Sequence, residues 1–139
     1  MGIVAPGMPA PELRLKTEDG EAFTEEDLKG RTTILVFYPF AFSPVCTDQL
    51  QVYEEVLGDL AAQGARMFAV STDAGYSQKA FRESLNVTIP QLSDFEPGGM
   101  SNRALVIVGP DGVVKWSHLA DSPGELPGVN LIFDGLAAA

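Results

Sequence analysis

The sequence predicts an α/β fold, a three-layer α/β/α sandwich around a mixed central sheet. Two strand-like apolar runs, at 33–38 and 67–71, are each followed by a segment whose apolar residues have helical spacing. Further along, strand-like runs at 103–108 and 113–119 flank the turn sequence Gly-Pro-Asp-Gly at 109–112. Strands that alternate with helices usually pair in parallel, whereas a hairpin is antiparallel, so we expect a mixed sheet.

The first part of the chain predicts a hairpin and a short helical turn. Residues 18–20, Glu-Asp-Gly, are typical of a turn between strands at 13–15 and 22–23. Thr24 is followed three residues later by Asp27, a spacing that resembles a capping box. The helical turn that it would start should end before the central strand at 33–38.

A long helix is predicted over 44–63, directly after the central strand. Its apolar residues recur at spacings of three and four and should form one buried stripe, and Gly64 should end the helix. The members of the stripe are Leu50, Tyr53, Leu57 and Leu60.

Three shorter elements complete the predicted order. A second helix over 77–85 should turn Ala80, Phe81 and Leu85 inward. A short strand over 88–92 contains Pro90, which cannot donate to a strand ladder, so we place that strand at an edge of the sheet. The chain should close with a helix over 131–136.

Composition limits the classes of partner and compartment. The 139 residues predict a single domain, and the net charge of −10 argues against binding to nucleic acid or to an anionic membrane. The first residues contain no basic side chain and no long apolar run, so they do not predict a secretory signal. A single cysteine cannot form an internal disulfide, and together these features predict a cytoplasmic protein.

Cys46, the only cysteine, is placed where a reactive thiol is expected. The strand at 33–38 ends at Pro39, and Ser43 followed by Pro44 predicts a helix start, since serine is a favoured N-cap and proline fits the first turn. Cys46 would then lie in the first turn, where free N–H groups and the helix dipole favour a thiolate. The alternative is a small buried core residue, as many lone cysteines are.

Several segments then show a family resemblance. The pattern Pro39-x-x-x-Ser43-x-x-Cys46 resembles the signature of the peroxiredoxins (the AhpC/TSA family), which have a thioredoxin-like fold. Residues 7–13, 69–73, 89–94 and 103–112 are also similar to segments of that family, so that the resemblance covers nearly the whole chain. Within the family, Phe-Tyr-Pro-Phe-Ala-Phe at 37–42 looks most like the one-cysteine branch related to actinobacterial AhpE.

The resemblance implies a thiol-dependent peroxidase whose catalytic residues are Cys46, Ser43, Arg103 and Pro39. The Cys46 thiolate would attack hydrogen peroxide or an alkyl hydroperoxide and become a sulfenic acid. Arg103 would supply a permanent cation with forked donors, Ser43 a hydroxyl that both donates and accepts, and Pro39 a shield against water.

The resemblance also implies the partners. It implies no cofactor and a homodimer, and one histidine with one cysteine and scattered acidic residues predicts no metal site. With no second cysteine in the chain, we expect an external thiol to restore Cys46: a low-molecular-weight thiol, or a protein of the thioredoxin or glutaredoxin type.

Other interpretations of the same residues remain open at this point. Ser43 could be only an N-cap, Pro39 only a strand end, and Arg103 an exposed surface residue. The chain could be a thioredoxin-like binding or scaffold domain with weakened or lost activity. A Cys–His hydrolase would need His118, the only histidine, beside Cys46, but its position near the end of the hairpin predicts an edge or exposed residue.

Two departures from the family pattern stand out. Gln49 occupies a position where related sequences often carry glutamate, and its amide could accept a hydrogen bond from Arg103 without pairing its charge. The connection between Asp94 and Arg103 is short, which predicts that a segment near 98–100 has been removed or is missing from the sequence.

Overall fold

The computed structural model describes residues 5–95, 102–122 and 124–139. In order along this part of the chain, the elements are β1 (Leu15–Thr17), β2 (Ala22–Phe23), a 3-10 turn (Glu25–Leu28), β3 (Thr32–Phe37), α1 (Pro44–Glu54), α2 (Leu57–Ala62), β4 (Ala65–Ser71), α3 (Gly75–Leu85), β5 (Gln91–Ser93), β6 (Ala104–Val108), β7 (Val114–Leu119) and α4 (Val129–Ala138).

The strands form one seven-stranded sheet in the order β2-β1-β5-β4-β3-β6-β7. β3, β4 and β5 are parallel, whereas β6 runs antiparallel to β3, and the hairpin partners are antiparallel to each other. The α/β class and the mixed sheet are therefore confirmed. β3 lies between β4 and β6 with both faces covered, which explains why its sequence is a continuous apolar run rather than an alternating one.

The two faces of the sheet are covered differently. Crossovers between parallel strands are right-handed in nearly all proteins, and both crossovers here lead from β3 towards β5, so they bring α1 and α3 to the same face. Buried residues of all four α-helices join that cluster: Leu50, Tyr53, Leu60, Phe81 and Ile132. The cluster on the opposite face includes residues from the 3-10 turn and the N-terminal segment, namely Leu13, Leu15, Phe23 and Leu28.

The helix predicted over 44–63 is wrong as a single element. α1 ends at Glu54 and α2 begins at Leu57. Between them the N–H groups of Glu55 and Val56 bond three residues back, to Val52 and Tyr53, which tightens the chain and interrupts the α-helical ladder. Most of the predicted stripe nevertheless lies in the core, because the break does not rotate α2 away from the sheet.

The edge position predicted for the strand around Pro90 is also wrong. β5 lies inside the sheet, between β4 and β1, because the N-terminal hairpin pairs with its outer side. Pro90 precedes the strand, so the ladder does not need its missing N–H, and its carbonyl accepts from the Ala69 N–H at 2.9 Å.

The inward face of α3 differs from the prediction in one position. Phe81 is buried and Leu85 is half-buried, but Ala80 is exposed and Gln78 takes the inward place. The Gln78 amide donates to the Ser71 hydroxyl and to the Leu92 carbonyl, both at 2.8 Å. An amide is favoured there because it pairs polar groups at the ends of β4 and β5.

The other predicted elements are confirmed with shifted ends. The capping box is formed, with the Thr24 N–H donating to the Asp27 carboxylate at 2.8 Å, and both predicted hairpins are present. None of the helices in the described part of the chain has the length and apolar character needed to cross a membrane.

Candidate active site

Cys46 lies in the first turn of α1, as the sequence predicted. α1 begins at Pro44, and the Ser43 hydroxyl caps it by accepting from the Cys46 N–H at 3.2 Å. The Cys46 side chain is fully buried. The strand end, the cap and the helix start therefore bring the sulfur to the carboxyl end of β3, the edge of an α/β sheet at which ligands usually bind.

Arg103 reaches the same place from the neighbouring strand. It directly precedes β6, and the pairing of Ala104 with Phe37 puts it beside the end of β3. Its side chain is 3% exposed, and Nη2 lies 3.3 Å from the Cys46 Sγ. The interpretation of Arg103 as an exposed surface residue is thus wrong, since its guanidinium donates to the sulfur inside the protein.

Gln49 holds the other side of the guanidinium. Its Oε1 accepts a hydrogen bond from Nη1 of Arg103, so the amide does accept from the arginine, as expected. The Gln49 Nε2 donates to the Tyr53 hydroxyl at 3.1 Å, and that hydroxyl donates to the Pro127 carbonyl at 2.6 Å. Burial raises the pKa of Tyr53 to about 12, so the hydroxyl keeps its proton at neutral pH.

The loop from Tyr38 to Ser43 is fixed by an aspartate at the end of β4. The Asp73 carboxylate accepts from the Ala41 N–H at 2.7 Å and from the Ser71 hydroxyl at 2.8 Å. Pro39 is buried in this loop, and Phe42 has a φ of 68°, in the left-handed region that a bulky residue rarely adopts. The carboxylate therefore stabilises a turn that delivers the chain to the start of α1.

Tyr38, at the start of that loop, is anchored away from Arg103. Its hydroxyl donates to the Gln91 Oε1 at 2.7 Å, and burial raises its pKa above the ordinary value of a tyrosine. The ring lies in the core of the helical face of the sheet.

Sequence reasoning missed two contributors to this site. In the sequence, Asp73 stands out only as part of the family-like segment 69–73, and Tyr53 only as part of an apolar stripe. A signal existed for Tyr53, because Gln49 precedes it by four residues and both therefore lie on one face of the helix. No local signal connects Asp73 to the Ala41 N–H, because the contact joins two separate loops.

His118 belongs to a different part of the structure. It lies in β7, the outermost strand of the described sheet, with its ring stacked on Trp116 and its Nε2 3.6 Å from the Glu125 carboxylate. Among the described residues no hydrogen bond joins it to Cys46, so the geometry of a Cys–His hydrolase is not formed there. Nor do these residues contain a group of three or more histidine, cysteine or acidic side chains that could hold a metal ion.

The connection from β5 to Arg103 is described only at its two ends. The segment near 98–100, where we predicted a removed or missing piece, lies outside the described residues.

Comparison with known proteins gives one family. The profile of the AhpC/TSA family matches residues 6–117. Alkyl hydroperoxide reductase C of Staphylococcus aureus is 31% identical over 127 residues, which cover 79% of this chain and 67% of that protein.

Solved structures agree on the fold. A peroxiredoxin-like protein from Aquifex aeolicus superposes with a TM-score of 0.85 at 22% identity, covering 100% of this chain and 90% of that one. Enterococcus faecalis AhpC superposes with a TM-score of 0.82 at 24% identity, covering 96% of this chain and 91% of that one. These similarities agree with the thioredoxin-like fold that the sequence predicted.

Proposed function

This chain belongs to the AhpC/TSA family of peroxiredoxins, and we propose that Cys46 is the thiol with which it reduces peroxides. A peroxiredoxin is a thiol-dependent peroxidase, so a binding or scaffold domain without activity is not the favoured interpretation. The finer proposal concerns the residues: Cys46 as nucleophile, with Arg103, Ser43 and Pro39 around it, in a protein of the one-cysteine branch.

The contact between Arg103 and the Cys46 sulfur supports this assignment most directly. A permanent cation that donates to a buried sulfur at 3.3 Å stabilises a thiolate better than the same charge in water, because the surrounding dielectric is low. A free thiol is only a few per cent ionised at neutral pH, so stabilising the anion increases the fraction that can react.

The first step of the proposed reaction is the oxidation of Cys46. The Cys46 thiolate attacks one oxygen of the peroxide, an S–O bond forms while the O–O bond breaks, and the leaving oxygen takes a proton to become water or an alcohol. The sulfur has lost two electrons to the peroxide and is left as a sulfenic acid. The N–H groups of Arg103 and the Ser43 hydroxyl would bind the oxygens as negative charge moves to the leaving group.

The sulfenic acid must be reduced by thiols from another molecule, because the chain has one cysteine. A first thiol would form a mixed disulfide with Cys46 and release water. A second thiol would then attack the mixed disulfide, which releases the Cys46 thiol and joins the two donor sulfurs in a disulfide. We propose a low-molecular-weight thiol or a thioredoxin- or glutaredoxin-type protein as that donor, in the cytoplasm. The homodimer expected from the sequence is likewise a proposal, which sedimentation equilibrium would test.

Rapid mixing of the reduced protein with hydrogen peroxide and with an alkyl hydroperoxide tests the function. We expect Cys46 to form a sulfenic acid at least a hundredfold faster than free cysteine, and Cys46→Ser to abolish turnover with an added thiol. Ser43→Ala should slow oxidation while leaving the fold intact, since a lost N-cap costs about 1 kcal/mol. A rate equal to that of free cysteine would refute the proposal and favour the scaffold interpretation.

A further inference from the structure

Three buried polar side chains follow one face of α1. Cys46, Gln49 and Tyr53 are separated by three and four residues, so they stack along the helix on the side that faces the sheet. Each of the three is fully buried, which is unusual for a glutamine unless its amide is paired. The Gln49 amide is paired at both ends, with Arg103 through Oε1 and with Tyr53 through Nε2.

Donor and acceptor chemistry fixes the direction of these hydrogen bonds. A guanidinium only donates, so the amide must turn Oε1 towards Arg103 and Nε2 towards Tyr53. The Tyr53 oxygen then accepts from Nε2, and its single hydrogen is left to donate to the Pro127 carbonyl at 2.6 Å. A carbonyl only accepts, so neither end of the series can be reversed.

We infer that Gln49 and Tyr53 are positioning residues, which orient Arg103 towards the Cys46 sulfur and connect residues 124–128, the segment before α4, to the reacting centre. This inference rests on the proposed roles of Cys46 and Arg103. The series runs from the Arg103 guanidinium through Gln49 and Tyr53 to Pro127, and we refer to these four residues as the relay.

The relay joins parts of the chain that are far apart in sequence. Arg103 precedes β6, Gln49 and Tyr53 belong to α1, and Pro127 is a buried residue of the irregular segment before α4. Because the guanidinium can only donate and the Pro127 carbonyl can only accept, the orientation of the Gln49 amide and of the Tyr53 hydroxyl depends on both ends of the series. Displacement of the segment before α4 would release the Tyr53 hydroxyl, and so loosen the amide that holds Arg103.

A glutamine performs this task differently from the glutamate that related sequences often carry. The neutral amide accepts from Arg103 without neutralising its charge, so the guanidinium keeps its full electrostatic effect on the sulfur. A carboxylate has no N–H, so it would accept from the Tyr53 hydroxyl as well. The Pro127 carbonyl would then lose its donor, and the segment before α4 would lose its anchor on α1.

Two substitutions test the relay without removing bulk from the core. Tyr53→Phe removes the hydroxyl, and Gln49→Glu exchanges the amide for a carboxylate of the same shape. Thr33→Val is the matched control, because it removes another buried hydroxyl, the one that accepts from Arg66 at 3.0 Å near the start of β3, which is not part of the relay. Each variant is compared with the unmodified chain in the rate constant for oxidation of Cys46 by hydrogen peroxide, and in hydrogen exchange of the backbone amides between Gly124 and Val129.

We expect Tyr53→Phe to lower the oxidation rate constant about five- to tenfold, as the loss of one buried hydrogen bond allows. Gln49→Glu should also slow oxidation, and the midpoint of its pH–rate profile should rise because a carboxylate offsets part of the Arg103 charge. In both variants the amides between Gly124 and Val129 should exchange faster. Thr33→Val should lower the free energy of unfolding to an extent similar to Tyr53→Phe but change the oxidation rate less than twofold.

Equal losses of rate in Tyr53→Phe and Thr33→Val would overturn the positioning role, because a general loss of stability would then explain both. Unchanged exchange near Pro127 in both relay variants would overturn the link to the segment before α4. Failure of the proposed function looks different: the unmodified chain would react no faster than free cysteine, and Arg103→Ala would change nothing. The exchange measurement would still test the anchor in that case.

Discussion

Arg103→Ala is the substitution that most directly tests how the site activates its sulfur. A hydrogen bond to a charged group contributes about 1.5–3 kcal/mol, and two unit charges about 4 Å apart interact by about 4 kcal/mol at an effective dielectric constant near 20. The hydrogen bond from Arg103 Nη2 to the Cys46 sulfur is 3.3 Å long and buried, so we place its contribution at about 3 kcal/mol, the upper end of the range for a charged group. Since about 1.4 kcal/mol corresponds to a factor of ten, we expect Arg103→Ala to slow oxidation of Cys46 about a hundredfold.

The measurement is the second-order rate constant for sulfenic acid formation, followed by quenched flow and intact mass. Arg103→Lys should recover part of the loss, because an ammonium keeps the charge but lacks the fork that serves Cys46 and Gln49 together. Arg82→Ala is the control: it removes an arginine paired with Glu18 at 2.7 Å, outside the site, and should leave the rate within twofold. A rate for Arg103→Ala within threefold of the unmodified chain would refute the electrostatic argument.

Three further predictions concern the surroundings of the site and the fold. Asp73→Ala should lower the free energy of unfolding by about 1–3 kcal/mol and slow oxidation of Cys46 several-fold, because it leaves the Ala41 N–H unpaired. Asp73→Asn keeps an acceptor for that N–H and should restore most of the stability and most of the rate. Gly135→Ala should lower the free energy of unfolding by about 1–2 kcal/mol, because its Cβ would lie 2.7 Å from the indole ring of Trp116 in β7. Gly58→Ala is the control: its Cβ would meet nothing within 4 Å, so it should raise the free energy of unfolding by up to about 1 kcal/mol. Urea unfolding measures both. Glu25 accepts a hydrogen bond from the Leu13 N–H at 3.0 Å, which lowers the pKa of its carboxyl from 4.5. The carboxylate therefore stabilises the fold fully above pH 4.5, and this stabilisation is lost as the pH falls through the lowered pKa. The urea midpoint of Glu25→Gln should depend less on pH in that range than the midpoint of the unmodified chain.

The sequence predicted those parts of the site that depend on neighbouring residues. Ser43, Pro44 and Cys46 lie within one helical turn, and the rules for capping a helix apply over that distance, so the position of the sulfur could be predicted. Arg103 could not be placed in this way, because its distance from Cys46 depends on which strand pairs with β3. Only the family resemblance brought it to the site, and the antiparallel pairing of β6 with β3 accounts for the contact.

The break between α1 and α2 is local, but the other two predictions that were wrong have a common physical origin in contacts between segments that are separate in sequence. Pro90 indicated an edge strand, but whether β5 has an outer neighbour is decided by the N-terminal hairpin rather than by the proline. Ala80 was expected inside because apolar residues usually are, yet the inward position went to Gln78, which pairs the Ser71 hydroxyl and the Leu92 carbonyl. The supports of the active site, Asp73 in particular, escaped prediction for the same reason.

The register of β6 shows how closely the fold and the site depend on each other. Strands specify their register when apolar and polar residues alternate, because a slip by one residue then exchanges the two faces. β6 is buried on both faces and carries no such alternation, so its apolar residues alone define the register weakly.

Arg103 specifies the register of β6 more strongly than these apolar residues do. Its carbonyl accepts from the Ala120 N–H at 2.9 Å, and its guanidinium is paired with Gln49 and the Cys46 sulfur. A slip by one residue would turn a buried cation towards the opposite face of the sheet and away from both partners, at a cost of several kcal/mol. The contact that we propose for catalysis therefore also selects the strand pairing that creates it.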